Sequence, residues 1–245
     1  INNRDFHSIK TLYNYDFYKD YTKHIVPLIL SNNGKSKKAL VFDCDNTLWP
    51  GILGEDGSEK IIEKMNSPTG FFFKEIHKII LNLYKEGVIL CLCSKNNEKD
   101  VLDFIYNNSA LNLNSDIFLI KKINWNNKHD NIFEIAQELN LSLDSFIFID
   151  DSEFEINLVK KKLPEVKTFL VPKDINDYPT KFLNLLPFFY KENITKEDKL
   201  RNLSYQNSLS RDSSKNKFSN IEDYLKSLDI EIKTHINDRE ILSRI

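Results

Sequence analysis

The chain has 245 residues, 34 of them basic and 36 acidic, with 41% hydrophobic content and a formal net charge of -2. That length buries one substantial core with extensions, and the near balance of charge lacks the cationic excess with which nucleic-acid binders neutralise phosphates, so a nucleic-acid partner is not expected. No apolar run approaches the ~20 residues that span a bilayer, and the first residues lack the charged and apolar regions of a signal peptide, so the expectation is a cytoplasmic protein without a membrane partner.

In chain order, residues 15 to 31 carry apolar positions at helical spacing, and a polar linker from 31 to 38 leads into the core. Short apolar runs then alternate with amphipathic stretches. The spacing predicts strands at 39 to 43, 88 to 93, 117 to 120, 145 to 149 and 167 to 171, and helices near 69 to 86, 97 to 106, 129 to 139 and 153 to 162. This repeated β-α pattern predicts an α/β fold, a doubly wound parallel sheet with helices on both faces. The connection from Leu48 to Pro68 is long for such a unit. It holds Gly51, Gly54 and Gly57 with Ile52-Leu53 and Ile61-Ile62, a composition that predicts a small β-hairpin flap.

Past Pro172 the pattern weakens. Residues 174 to 186 read as helical, 195 to 210 as a charged helix, Ser219 to Glu222 as a capping box, and 230 to 236 as an alternating strand. The domain expectation is a helical lead-in at 1 to 37 that ends an upstream domain, a catalytic core at 38 to 190, and an extension at 191 to 245. Met65 is the only methionine and the chain opens on Ile1, so it reads as a fragment. Cys44, Cys91 and Cys93 all fall in apolar strands, an odd number without regular spacing, which argues for a reducing compartment and against a disulfide framework. No glycine follows Gly87, which excludes the common glycine-rich phosphate loops.

The chemistry-bearing residues sit where strands end. The first apolar strand stops in Asp43 and Asp45, two apart and therefore on one side if extended, and like charges that close repel unless a cation or proton separates them. The fourth strand stops in Asp150-Asp151. A strand order that reverses between these two strands brings both acid pairs together, and a hard divalent metal answers the repulsion, although Asp150, Asp151 and Ser152 could instead merely cap the next helix. Ser94 ends the second strand, where its hydroxyl either donates to a phosphoryl oxygen or caps a helix. Lys128 stands near a helix start, where the macrodipole disfavours a cation; it either faces an anion or is a surface lysine.

Asp43-x-Asp45-x-Thr47, Ser94, Lys128 and Asp150-Asp151, in this order along a β-α chain, resemble the four motifs of the haloacid dehalogenase superfamily of phosphohydrolases. The run from Asp43 to Gly57, Cys93-Ser-Lys-Asn96, Asn124-Trp-x-x-Lys-x-x-Asn-Ile132 and the Asp-Asp-x-x-x-Glu run ending at Glu155 are similar to its FkbH-like branch. Cys44 and Pro50 depart from the usual Leu and Gly, and Ile156 stands where an Arg is common. The resemblance implies strand order 3-2-1-4-5, an aspartyl-phosphate on Asp43, and Asp45 as the acid that protonates the leaving group and then activates water. It further implies Mg²⁺ on Asp43, the Asp45 carbonyl and Asp150, with Thr47, Ser94 and Lys128 on the phosphoryl oxygens. Asp151 stands behind the ligands, and Glu155 either orients Lys128 or the metal's waters or is a surface acid. As substrate the branch implies a phosphorylated glycerate or related acyl phosphate, small or carrier-bound, with an acyl carrier protein as partner. Residues 238 to 245 resemble the start of an acetyltransferase-like domain. Acyl transfer as the main activity, with Cys93 as a thioester nucleophile, and an idle binding module are the competing readings; Cys93 reads more simply as a buried small side chain.

Overall fold

The computed structural model describes residues 13–192 and 196–215. Chain contacts divide it into two compact units, Ile1–Tyr205 and Gln206–Ile245. The capping box at 219 to 222, the strand at 230 to 236 and the segment 238 to 245 lie outside the described residues.

The first unit is built on a parallel sheet of five strands, β1 (Ala39–Phe42), β2 (Ile89–Ser94), β3 (Phe118–Ile123), β4 (Phe146–Asp150) and β5 (Lys167–Leu170), in the order β3-β2-β1-β4-β5. β1, β2 and β4 are buried along their whole length, as their unbroken apolar runs require, whereas edge strand β5 is half-buried throughout. The described helices are α1 (Tyr15–Asn32), α2 (Leu53–Met65), α3 (Pro68–Lys85), α4 (Glu98–Asn107), α5 (Lys128–Glu138), α6 (Glu153–Lys162), α7 (Tyr178–Leu183) and α8 (Lys196–Lys215). Of the expected helical stretch 174 to 186, the last two turns before Asn184 form α7, flanked by 3₁₀ turns at Ile175–Asp177 and Leu186–Phe189. No helix among the described residues is long and apolar enough to cross a membrane.

Local chemistry sets the helix starts at the sheet's carboxyl edge. Pro68 opens α3, where its missing N–H costs nothing, and Phe73, Ile76, His77, Ile80 and Leu83 form its buried face. The Asn97 side chain caps α4 by accepting from Lys99 N–H, and Ser152 Oγ caps α6 by accepting from Glu155 N–H. Lys160, Lys161 and Lys162 close α6 at the end where its dipole favours cations.

The connection after β1 corrects the expected hairpin. Residues 53 to 65 are helical, kinked at Gly57 (φ 75°, ψ 162°), with Leu53, Ile61 and Met65 turned to the core. The glycines that signal a turn serve a kink and, at Gly51 (φ 109°), a left-handed bend packed on Asp56 and Lys64, where a Cβ would lie 2.4 Å from Asp56 Oδ2.

Candidate active site

Register alone brings the acids together. β1 pairs with β4 in parallel, Phe42 opposite Ile149, so the next residues out, Asp43 and Asp150, are neighbours at the carboxyl edge, where strand order reverses. Asp150 is fully buried, Asp43 nearly so, and Asp151 is exposed beside them. One carboxylate oxygen from each of Asp43, Asp150 and Asp151 lies within 4.8 Å of the others, a small adjustment from the ~4 Å that separates opposite ligands of a six-coordinate Mg²⁺.

Lys128 opens α5 and is buried. Its Nζ lies 2.7 Å from both Asp43 Oδ1 and Asp150 Oδ2. Of the two readings of this lysine, the surface one is therefore set aside: it is the cation of the acid pair. Burial by itself would lower its pKa, but the two carboxylates outweigh that and hold it above the ordinary lysine value. Burial, and after it the Asp43 charge, push Asp150 up to about 7 despite Lys128. Burial likewise raises Asp151, with Asp43 adding to it. Three carboxylates against one ammonium leave an uncompensated negative charge of about two, which is what an all-oxygen donor set for a hard divalent cation carries.

The lysine is itself braced. Asn124 and Asn131 exchange side-chain hydrogen bonds at 3.2 and 2.9 Å across the turn before α5, and Asn124 N–H donates to Ser94 C=O. Ser94 is buried at the end of β2, and its hydroxyl pairs with the Cys44 thiol. Thr47 is fully buried, yet its Oγ1 has no hydrogen-bond partner. A hydroxyl so placed costs about 1 to 3 kcal/mol unless something polar joins it, which fits an oxyanion subsite.

Asp45 is half-buried and hydrogen-bonded on both oxygens, to Trp49 Nε1–H, Leu53 N–H and Asn96 Nδ2–H. Burial raises its pKa above the ordinary carboxylate value, against the pull of the Leu53 and Trp49 bonds. Glu155 is buried, so it is not the surface acid of the sequence reading, and its Oε1 pairs with Lys95 Nζ at 2.7 Å, whereas Lys128 pairs with Asp43 and Asp150.

No family model matches the chain, and no curated protein matches it. Among solved structures it is similar to the N-terminal part of the protein BF1531 from Bacteroides fragilis, containing a phosphatase domain complexed with Mg, at 32% identity and a TM-score of 0.71. The match covers 79% of this chain and 51% of that one, so the chain spans about half the length of the structure it matches. The fold matches that of a phosphatase domain.

Against that phosphatase-like frame, several residues that hold the site carry no local sequence signal. Asn96 reaches Asp45 across 51 positions. His77 Nε2–H donates to Leu48 C=O at 2.7 Å, and Tyr178 O–H donates to Thr47 C=O at 3.2 Å, so two buried side chains from α3 and α7 tie down the backbone of the loop after β1. Asn46, left-handed at φ 51°, closes the loop by exchanging bonds with Gly51. Cys93 is fully buried, its Sγ 3.6 Å from Lys128 C=O, and burial drives its pKa far above the thiol range. It is the buried small side chain, without the accessible thiolate that acyl transfer needs.

Proposed function

We propose that this chain is a magnesium-dependent phosphatase of the haloacid dehalogenase type, acting through an aspartyl-phosphate. The observation that carries the reading is the cluster of Asp43, Asp150 and Asp151, two of them paired with buried Lys128, in a chain 32% identical to a protein part containing a phosphatase domain complexed with Mg. Asp43, Asp150 and the Asp45 carbonyl would hold the metal, with Asp151 at the rim of the same cluster. Magnesium, when bound, neutralises phosphoryl charge and sets phosphorus in line with the attacking carboxylate.

The chain's own residues do the rest. Lys128 pins Asp43 Oδ1, leaving Oδ2 to attack; the bond from Asp43 to phosphorus forms as the bond to the leaving oxygen breaks, and Asp45 gives that oxygen its proton. Water then attacks phosphorus, Asp45 takes a proton back, and Asp43 is released. The Ser94 and Thr47 hydroxyls and the Lys128 ammonium receive the phosphoryl oxygens, the preorganised charge on which phosphoryl transfer depends.

For substrate we assign a phosphorylated glycerate or related acyl phosphate, free or on an acyl carrier protein, on the FkbH-like character of residues 43 to 57. A cytoplasmic location and the division at residues 38 and 190 belong to this reading. The test is phosphate release from esters and acyl phosphates by the full chain, with Mg²⁺ and with chelator. Asp43→Asn is expected to lose turnover by orders of magnitude with its fold intact; a fully active Asp43→Asn protein would overturn the assignment.

A further inference from the structure

A general acid must hold its proton on one defined oxygen, and the hydrogen bonds around Asp45 leave only one place for it. Oδ1 accepts from Trp49 Nε1–H at 2.9 Å and from Leu53 N–H at 3.0 Å, while Oδ2 accepts from Asn96 Nδ2–H at 2.9 Å. A carboxylate offers about four lone-pair sites, so these three donors leave one, on Oδ2.

The Asn96 carboxamide cannot be turned round. Its Oδ1 accepts from Asn97 N–H at 3.0 Å, a group with only a hydrogen to give, so the amide nitrogen must face Asp45. Asn96 is 7% exposed, so water does not compete freely for this contact. It stands two residues past Ser94, on the loop that also pairs Lys95 with Glu155. Asp45 is thereby held from the β2 loop as well as from its own.

We propose that Asn96 is a positioning residue that occupies one side of Asp45 Oδ2, so that the proton passed to the leaving oxygen is carried at the one lone pair of Oδ2 left open. The inference rests on the phosphatase reading, with Asp45 as the acid. As the bond from phosphorus to the ester oxygen breaks and the bond to Asp43 forms, the Oδ2 proton moves to the departing oxygen. Without Asn96 the Trp49 and Leu53 bonds still hold Oδ1, but both lone pairs of Oδ2 stand free, so the proton is no longer confined to one of them, while nucleophile and metal ligands are untouched.

A leaving group that needs no proton separates this role from a structural one. The experiment compares kcat/KM of the full chain with Mg²⁺ on phenyl phosphate, whose phenolate needs protonation, and on dinitrophenyl phosphate, whose leaving group departs as the anion. Asn96→Ala is expected to lose about tenfold to a hundredfold on phenyl phosphate and less than about threefold on the dinitrophenyl ester. Asn96→Leu, of similar size but without the donor, is expected to lose at least as much on phenyl phosphate, and it carries the comparison if the alanine variant does not fold. Equal losses on both esters in a folded variant, or no loss on either, overturn the role of Asn96 and leave the phosphatase reading standing. Wild-type protein that releases phosphate from neither ester overturns that reading and the inference with it.

Discussion

Replacing Lys128 by methionine tests the centre of the site, because methionine keeps the stem and removes the charge. The ammonium lies 2.7 Å from Asp43 and Asp150, and all three side chains are almost wholly out of water. Deleting one partner of a buried ion pair leaves the other charges uncompensated, at a cost of about 3 to 5 kcal/mol. Against a total of about 5 to 15 kcal/mol for a domain, such a loss is unmistakable. The sign with pH is fixed: the folded-state pKa of Lys128 is raised above 10.5, so its contribution is fully present below 10.5 and is lost only as pH rises through the higher folded value. The assay is urea unfolding in chelator, followed by the fluorescence of buried Trp49, at a pH above the Asp150 value of about 7, so that Asp150 cannot relieve the strain by taking a proton. Repeating it with excess Mg²⁺ should shrink the deficit, since the cation replaces part of the missing charge; ligand at a hundred times its Kd adds about 2.7 kcal/mol. A variant within about 0.5 kcal/mol of wild type in chelator would refute the reasoning, since a change that small is what a solvated surface lysine gives.

His77 gives a pH-dependent expectation. Burial lowers its pKa from 6.5 to about 4, so the folded state favours the neutral ring; this stability is present above 6.5 and is lost as pH falls toward 4. The difference is worth about 3 kcal/mol, to be read as the steeper acid loss of wild type relative to His77→Gln in urea melts, with parallel pH curves counting against it. Gly51→Ala combines a left-handed backbone with a Cβ 2.4 Å from Asp56 Oδ2 and 2.9 Å from Lys64 Nζ; a cost of about 1 to 3 kcal/mol and a fall in phosphate release are expected, and an unchanged Tm would contradict the strain.

The strands were legible because a buried parallel strand announces itself as an apolar run, and the acids because they interrupt such runs at one end. The helix from 153 to 162 is found at those residues, and the other core helices shift by about one position, the usual uncertainty of frayed ends. The stretch from 48 to 68 misled because its glycines carry turn chemistry while the helical spacing of Ile61 and Met65 is too short to register against it. Asn96, His77 and Tyr178 were not legible for a different reason: their partners are 51, 29 and 131 positions away, and no local pattern encodes a contact that only the folded sheet creates. Lys128 stood between these cases. Its position at a helix start pointed to an anion, but only the fold identified the anions as Asp43 and Asp150.

The ties from His77 and Tyr178 to the carbonyls of Leu48 and Thr47 also bear on how the molecule opens. Surface loops commonly exchange their amide hydrogens through cheap local fluctuations, whereas core strands exchange only when the whole domain unfolds. Here the loop's carbonyls are gripped by side chains rooted in the apolar interior, so the amides of Asn46 and Leu48, which close its turns, share the core's fate. These ties couple the loop after β1 to the hydrophobic interior. The expectation is that denaturant populates no intermediate in which the loop has melted and the sheet persists, so that loss of phosphate release and global unfolding follow a single curve.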